Sequence, residues 1–285
     1  MMMKPAIDEE KALKELVNRG LKIPPWPKVL SELQQAIDAG NDDARTMARI
    51  IGKDPGLAAM VFRVAKSPVI AKGKKSFDRL DQILMVMGTK QVLNLVQAVS
   101  LTTALSDGAQ KVLDAFWTRS AEIADIAGLI AAERVSVCNV FPEQAYMAGI
   151  FRECGIPVLM QRFPDYCNTV SFENMQCGLT VQEEDRRFGV DHCVIGYLVA
   201  RHWKLPDFIA SAILYHGEMP REELGAVRSL AAILHLANHY YNHVKHIDTA
   251  NWGVLKGDVL AELGFHPEEE DEFRADIEER FNALA

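Results

Sequence analysis

Four histidines near the end of the sequence have the spacing of a metal-chelating helix. They lie at positions i, i+4, i+8 and i+11 of one predicted helix and are His235, His239, His243 and His246. Imidazoles one helical turn apart can chelate Zn²⁺ or Ni²⁺. The apolar stripe of this helix is predicted to lie on the opposite side, so the histidines are expected on an exposed face. Because no carboxylate or cysteine completes the set, we interpret them as an exposed polar face with incidental metal affinity.

A second group of chemically competent residues is spread along the middle of the chain. Arg152 and Glu153 end an apolar helical run just before a predicted Gly-Ile-Pro turn, and His192 and His216 follow further along. Imidazoles and carboxylates can hold a metal ion that activates water. A guanidinium group keeps its proton and has no lone pair to donate. Without a complete ligand set, a histidine on a packed helix is more often a hydrogen-bonded core residue.

Helical periodicity dominates the elements that must position these residues. The Pro24–Pro27 segment is predicted to open a helix that stops at Gly40, and the Asn41-Asp42-Asp43 segment is predicted to supply the cap of the next one. Further helices are predicted at about residues 110–134, 142–153, 191–204, 205–216 and 221–244. We find no convincing pair of strands. The pattern predicts an all-α protein of about a dozen helices.

The order of several short motifs resembles one known family. The motifs are Leu21-Lys-Ile-Pro-Pro-Trp-Pro27, Ile51-Gly-Lys-Asp-Pro55, Arg63-Val-Ala-Lys-Ser67, Asp81-Gln-Ile-Leu-Met-Val-Met-Gly88, Phe116-Trp-Thr-Arg-Ser120, Ala148-Gly-Ile150 and Trp203-Lys-Leu-Pro206. Together they resemble the HDOD (HD-related output domain) branch of the HD superfamily of metal-dependent phosphohydrolases, over about residues 21–240. The resemblance implies a compact multi-helix bundle. Its expected parts are an N-terminal helical subdomain (1–108), an HD-like subdomain (109–246) and a C-terminal extension with an acidic helix (247–285).

The resemblance also implies where the metal ligands of an HD enzyme would fall in this sequence. The first histidine falls at Arg119, the His-Asp pair at Arg152-Glu153, the next two histidines at His192 and His216, and the closing aspartate at Asn238. Two arginines therefore stand where ligands would be, and nearby cations repel a divalent ion. We expect a degenerate, vestigial metal site with no catalytic residue, no resident metal and no cofactor.

One hypothesis follows for these inward-facing polar positions. Arg119 or Arg152 pairs with Glu153 and replaces the metal as the electrostatic centre of the bundle, because an unpaired buried polar group costs a few kcal/mol. The alternative is that both arginines extend outward into water.

Composition and charge exclude several classes of function. The net charge of −8 does not favour binding to nucleic acid, although Lys66, Lys72, Lys74, Lys75 and Arg79 form a local basic cluster. The N-terminus lacks an apolar signal-peptide core, and no apolar run reaches the roughly 18 residues of a membrane span. The five scattered cysteines are expected to be reduced thiols of a cytoplasmic protein.

The function expected first is that of a non-catalytic bacterial signal-transduction module that works through protein contacts. The partners implied by the resemblance are receiver proteins or cyclic-dinucleotide enzymes. One alternative is a metal-dependent phosphohydrolase with a reduced ligand set of Glu153, His192, His216 and Asn238. The other is a sensor in which Arg119 and Arg152 bind a nucleotide or another phosphate-bearing ligand, since the arginine fork suits phosphate.

Overall fold

The computed structural model describes residues 8–23, 25–54, 57–58, 61–62, 65, 79–104, 110–163, 166, 179–249, 251–266 and 268–283. Within these ranges all regular structure is helical, which confirms the predicted all-α class. In chain order the α-helices are α1 (Glu9–Asn18), α2 (Lys28–Asp38), α3 (Ala44–Ile51), α4 (Leu80–Met87), α5 (Thr89–Ala104), α6 (Gln110–Cys138), α7 (Pro142–Phe151), α8 (Gly155–Arg162), α9 (Val181–Phe188), α10 (His192–His202), α11 (Asp207–Tyr215), α12 (Ala226–Val244), α13 (Trp252–Glu262) and α14 (Glu270–Asn282).

Local sequence signals explain where helices α2 and α3 begin. Helix α2 begins directly after Pro27, and α3 is capped by Asp43, whose carboxylate accepts hydrogen bonds from the backbone N–H groups of Arg45 and Thr46. These bonds satisfy donors that have no partner within the helix. The predicted cap within residues 41–43 is therefore confirmed, and Asp43 is the residue that supplies it.

The long helix α6 lies at the centre of the bundle and packs against α7 and α12. Its inward face includes Ile123, Ala127 and Ile130, which are fully buried. At Gly149 of α7 a Cβ atom would lie 2.7 Å from the Cα atom of Ala124 in α6, so a larger residue would force the two helices apart. The close α6–α7 contact fixes the position of the turn that follows α7.

That turn differs from the sequence prediction. The helix expected to end at Glu153 ends at Phe151, and residues 152–154 form the turn. The prediction of a turn at Gly155-Ile-Pro157 is wrong. These three residues form the first turn of helix α8. A proline is tolerated there since the first N–H groups of a helix have no intrahelical acceptor.

The C-terminal helices α13 and α14 pack back onto the bundle. Val259, Leu260, Ile277 and Phe281 are buried in the same hydrophobic core as α6 and α12. The guanidinium of Arg134 in α6 lies 3.7 Å from the ring centre of Phe265 and 4.8 Å from that of Phe273. The acidic terminal helix therefore uses its apolar face for packing.

Two further sequence expectations concern surface and membrane. Lys66, Lys72, Lys74 and Lys75 of the basic cluster lie outside the described residues. In the described part of the chain, no helix has both the length and the apolar composition that a bilayer span requires.

Candidate functional site

Four of the predicted site residues meet in one buried group of ion pairs, which we call the arginine–glutamate cluster (Arg119, Arg152, Glu153 and Asn238). Arg119 lies on α6, Asn238 on α12, and the other two in the turn after α7. One oxygen of Glu153 lies 2.8 Å from Nη1 of Arg119, and the other lies 2.8 Å from Nη2 of Arg152. Arg119 also donates to Oδ1 of Asn238 at 3.1 Å.

The arginine–glutamate cluster is largely shielded from water. The side chains of Arg119, Arg152 and Glu153 are 8%, 9% and 12% exposed. Burial by itself would raise the pKa of Glu153, but the charges of Arg152 and Arg119 outweigh it and lower that pKa to about 2. The carboxylate is therefore ionised at neutral pH. The pairing hypothesis holds for both arginines, and the alternative that they extend into water is contradicted.

The two predicted histidines form a second group, together with a cysteine that the sequence analysis did not select. In this histidine–cysteine cluster (His192, Cys193 and His216) the two Nε2 atoms lie 3.1 Å apart. The Sγ atom of Cys193 is 3.7 Å from Nε2 of His192 and 3.9 Å from Nε2 of His216. His192 and Cys193 are the first two residues of α10, and His216 directly follows α11. All three residues are buried.

A second layer of hydrogen bonds fixes the orientation of both imidazole rings. Nδ1 of His192 lies 2.6 Å from a carboxylate oxygen of Glu184, which is fully buried and also accepts from the backbone N–H of His192. The hydroxyl of Tyr166 donates to the other oxygen of Glu184 at 2.5 Å. Nδ1 of His216 lies 2.7 Å from the carbonyl oxygen of Ile213. Each ring therefore directs Nε2 toward the other ring and toward Cys193.

Within the histidine–cysteine cluster, the pKa values of the thiol and of one imidazole are shifted in opposite directions. Burial opposes ionisation of Cys193, but the charges of His216 and His192 and their hydrogen bonds prevail and lower the pKa of the Cys193 thiol to about 6. Burial by itself would lower the pKa of His192, but Cys193 and Glu184 together outweigh it and raise that pKa. By contrast, burial raises the pKa of the Cys154 thiol well above its ordinary value.

The two clusters are neighbours in the fold. A Cβ atom on Gly155, two residues after Glu153, would lie 2.1 Å from the carbonyl oxygen of His192. The charges of His216 and His192 contribute to the lowered pKa of Glu153. The structure thus brings all six predicted site positions into one region of the core.

The remaining predicted histidines are placed differently from the expectation. The prediction that His235, His239, His243 and His246 share one exposed face is wrong for the first two. Nε2 of His235 is buried, and burial lowers the pKa of that residue to about 4. The ring of His239 stacks on Trp252 of α13 at 4.0 Å, and burial lowers its pKa to about 4. His243 is exposed and pairs with Glu278 of α14 at 2.8 Å. Helices α13 and α14 thus contact His239 and His243, whereas His235 lies near Glu218, His216 and Arg152.

An HD-type metal does not fit the residues that the resemblance assigns to it. Both oxygens of Glu153 bind guanidinium groups, and the oxygen of Asn238 accepts from Arg119. Within the part of the chain that the structure describes, the only three possible ligand atoms that lie within 4.8 Å of one another belong to the histidine–cysteine cluster. The reduced ligand set of Glu153, His192, His216 and Asn238 is therefore divided between two groups.

Cys193 and Glu184 are the residues that sequence reasoning missed. The adjacency of His192 and Cys193 was visible as a pair of soft ligands at a predicted helix start. Glu184 carried no comparable signal, because its contact with His192 depends on how α9 and α10 are joined.

Comparison with known proteins gives a consistent family and fold. The family model described as HDOD domain matches residues 23–219. The structure of a proposed phosphohydrolase from Shewanella amazonensis SB2B is 22% identical with a TM-score of 0.66, over 96% of this chain and 98% of that one. An HDOD domain protein with unknown function from Geobacter sulfurreducens is 22% identical with a TM-score of 0.60, over 96% and 99%.

One further solved structure and one sequence relative are also similar to this chain at low identity. A proposed metal-dependent phosphohydrolase from Shewanella amazonensis SB2B is 16% identical with a TM-score of 0.67, over 97% of both chains. An uncharacterized protein of Treponema pallidum (strain Nichols) is 20% identical over 201 residues, which are 70% of this chain and 38% of the relative. The chain thus spans well under half of that relative's length. At these identities the solved structures show a shared fold.

Proposed function

The chain belongs to the HDOD domain family, and from this premise we propose that it is a non-catalytic signal-transduction module that acts through contacts with other proteins. The arginine–glutamate cluster is the observation that carries the proposal. Where the HD resemblance requires metal ligands, this chain has two buried guanidinium groups that share one carboxylate.

The physical case against hydrolysis at this cluster is electrostatic. A divalent ion bound through Glu153 would have to break two buried ion pairs and would then lie beside two uncompensated cations. Removing one partner of a buried ion pair costs about 3–5 kcal/mol. In the proposed module the ion pairs take the structural place of the metal and hold α6, α12 and the turn after α7 together.

The same pairs argue against a phosphate sensor at this position. A phosphate group would compete with Glu153 for Arg119 and Arg152, whose charges already compensate that carboxylate. Arginine binds phosphate best when its fork is available. We therefore propose that protein surfaces, and not this cluster, carry the signal.

The proposal includes the kind of partner and the compartment. Receiver proteins and cyclic-dinucleotide enzymes are the partner classes that the family resemblance suggests. A cytoplasmic location is supported by free thiols at Cys138, Cys154 and Cys193, because free cysteines persist where the medium is reducing.

The first test is an assay for phosphoester hydrolysis. Purified protein would be incubated with bis(p-nitrophenyl) phosphate and with cyclic dinucleotides, in the presence of Mg²⁺, Mn²⁺, Fe²⁺ or Zn²⁺. We expect no turnover above that of the His216→Ala variant. Metal-dependent turnover that His216→Ala abolishes would overturn the proposal in favour of a phosphohydrolase.

The second test measures contact with the proposed partners. Immobilised protein would be probed with a purified receiver domain and a purified cyclic-dinucleotide enzyme from the same genome. Binding to one of them, retained by a His216→Ala variant of unchanged helicity, is the expected result. Failure to bind either class would remove both from the proposal.

A further inference from the structure

The two imidazole rings of the histidine–cysteine cluster face each other through their Nε2 atoms. Nδ1 of His192 faces a carboxylate oxygen, and Nδ1 of His216 faces a carbonyl oxygen, so both Nδ1 atoms must carry a hydrogen to donate. With no proton on either Nε2 atom, both atoms are lone-pair acceptors, 3.1 Å apart and buried. Two lone pairs at that distance repel each other unless a cation, either a proton or a metal ion, lies between them.

The positions of the three ligand atoms match a tetrahedral transition-metal site. With bonds of about 2.0 Å to nitrogen and 2.3 Å to sulfur, a tetrahedral Zn²⁺ ion holds two nitrogens about 3.3 Å apart and a nitrogen and a sulfur about 3.6 Å apart. The corresponding distances here are 3.1 Å between the Nε2 atoms, and 3.7 and 3.9 Å from them to Sγ of Cys193.

We propose that His192, Cys193 and His216 bind one transition-metal ion of the Zn²⁺ class through Nε2, Sγ and Nε2. His192 and His216 occupy positions that the HD resemblance assigns to metal ligands, but the set differs from an HD-type centre. Cys193 has no counterpart among those positions, and Glu153 and Asn238 are held by arginines instead. A sulfur and two imidazoles select zinc-type ions over Mg²⁺ or Mn²⁺, which prefer oxygen. The inference stands independently of the proposed signalling role.

The surroundings have the features of a built metal site. A ligand histidine commonly donates its other N–H to a carboxylate or a backbone carbonyl, which fixes the tautomer and the ring orientation. Glu184 accepts this hydrogen bond from His192, and the carbonyl oxygen of Ile213 accepts it from His216. Tyr166 in turn donates to Glu184. On binding, the metal forms bonds to Sγ and to both Nε2 atoms, and the one proton that these three atoms share passes to solvent.

The metal would have a structural effect. It would join the start of α10 to the residue that directly follows α11, and three protein ligands would leave one tetrahedral position for a further ligand. Because an ion that binds the folded state alone stabilises it by mass action, Zn²⁺ should raise the midpoint of thermal unfolding. The competing occupant of the cluster is a proton shared between the two Nε2 atoms.

Zinc content and Zn²⁺ affinity test the site directly. Tag-free protein would be stripped with a chelator and titrated with Zn²⁺ against a chromophoric competitor, with elemental analysis of the product. We expect one equivalent per chain. Loss of a direct ligand in Cys193→Ala should weaken binding by more than the roughly 10- to 100-fold expected for the outer-shell change Glu184→Gln.

Two controls separate this site from other sources of binding. Cys154→Ala removes a neighbouring buried sulfur outside the cluster and should leave Zn²⁺ affinity unchanged. His239→Ala/His243→Ala should also leave it unchanged. Absence of bound Zn²⁺ in wild-type protein, or loss of binding only in the His239/His243 variant, would overturn the proposal and leave the shared proton as the occupant.

A spectroscopic readout keeps the test independent of variant folding. Wild-type protein loaded with Co²⁺ should show thiolate-to-metal charge transfer in the near ultraviolet together with the intense visible bands of a tetrahedral ion. Co²⁺ bound without the charge-transfer band would mean that Cys193 is not a ligand, and the proposed site would be wrong.

Discussion

Glu153 compensates two buried guanidinium groups with one carboxylate. Arg119 and Arg152 each bind a different oxygen of it, and Arg119 also lies 5.7 Å from the ring centre of Tyr241. A buried ion pair contributes less than its Coulomb attraction suggests, because both charges lose their hydration. Removal of the Glu153 carboxylate alone should lower the stability of the fold strongly, since it leaves two buried guanidinium charges uncompensated.

We predict that Glu153→Gln lowers the free energy of unfolding by about 3 kcal/mol at pH 7. Glutamine keeps the size of the side chain, so the loss reports charge and not packing. Urea unfolding followed by circular dichroism measures it. The matched control is Glu133→Gln, which breaks an exposed pair with Arg280 and should cost less than about 1 kcal/mol. Equal losses in the two variants would contradict the assigned role of Glu153.

The pH dependence of this difference identifies its source. A carboxyl whose pKa falls from its ordinary value of 4.5 to about 2 on folding stabilises the protein fully above pH 4.5. That contribution, about 3 kcal/mol, is lost as the pH falls from 4.5 toward 2. The stability difference between wild type and Glu153→Gln should therefore be constant from pH 7 to 5 and shrink below that. A difference that persists at pH 2 would indicate a packing effect.

At the scale of elements, the approach of α8 to α10 sets the position of both clusters. Gly155 begins α8 next to Arg152 and Glu153, and its backbone contacts the carbonyl group of His192 at the start of α10. A side chain at this position has no space, because the nearest atoms belong to backbone and cannot rotate away. The turn that carries the ion pairs and the helix that carries the histidine are thereby held together.

We predict that Gly155→Ala destabilises the protein by about 3 kcal/mol, since overpacking against backbone forces the helices apart. Gly257→Ala is the matched control, because this glycine lies inside α13 with no atom within 4 Å of its added Cβ. That change should stabilise the protein by about 0.5–1 kcal/mol through helix propensity. Thermal unfolding of both variants distinguishes the two effects, and a neutral Gly155→Ala would refute the contact.

At the scale of the whole molecule, the C-terminal helices complete the core beyond the family match. That match ends at residue 219, yet α13 and α14 bury Val259, Leu260 and Ile277 against the bundle. Arg134 of α6 stacks on Phe265, and Trp252 covers His239 of α12. Residues that a family comparison leaves out therefore cover the outer side of α12.

We predict that a chain ending at residue 249 has a midpoint of thermal unfolding lower by more than about 10 °C, because truncation exposes the apolar surface that α13 and α14 cover. A chain ending at Ala283 serves as the control and should melt like the full chain. Differential scanning calorimetry compares them. An unchanged midpoint for the shorter chain would mean that the C-terminal helices add no stability to the bundle.

Much of the fold was predictable because helix signals are local. Apolar spacing, the cap at Asp43 and the proline before α2 act within one or two turns of chain, so the helical class and most helices follow from the sequence. The errors arose where distant packing overrides local pattern. The Gly-Ile-Pro segment continues as helix α8, and His239 is covered by a helix that begins after residue 250.

The sequence by itself determined the all-α class, the family, and the presence of arginines where the HD resemblance requires ligands. The tertiary structure alone decided which polar groups meet. Arg119 contacts residues 34 and 119 positions away, and His192 contacts His216 across 24 positions. Such contacts depend on how the helices pack, which local sequence does not encode residue by residue. For that reason Cys193 and Glu184 became candidates only when the histidines were seen beside them.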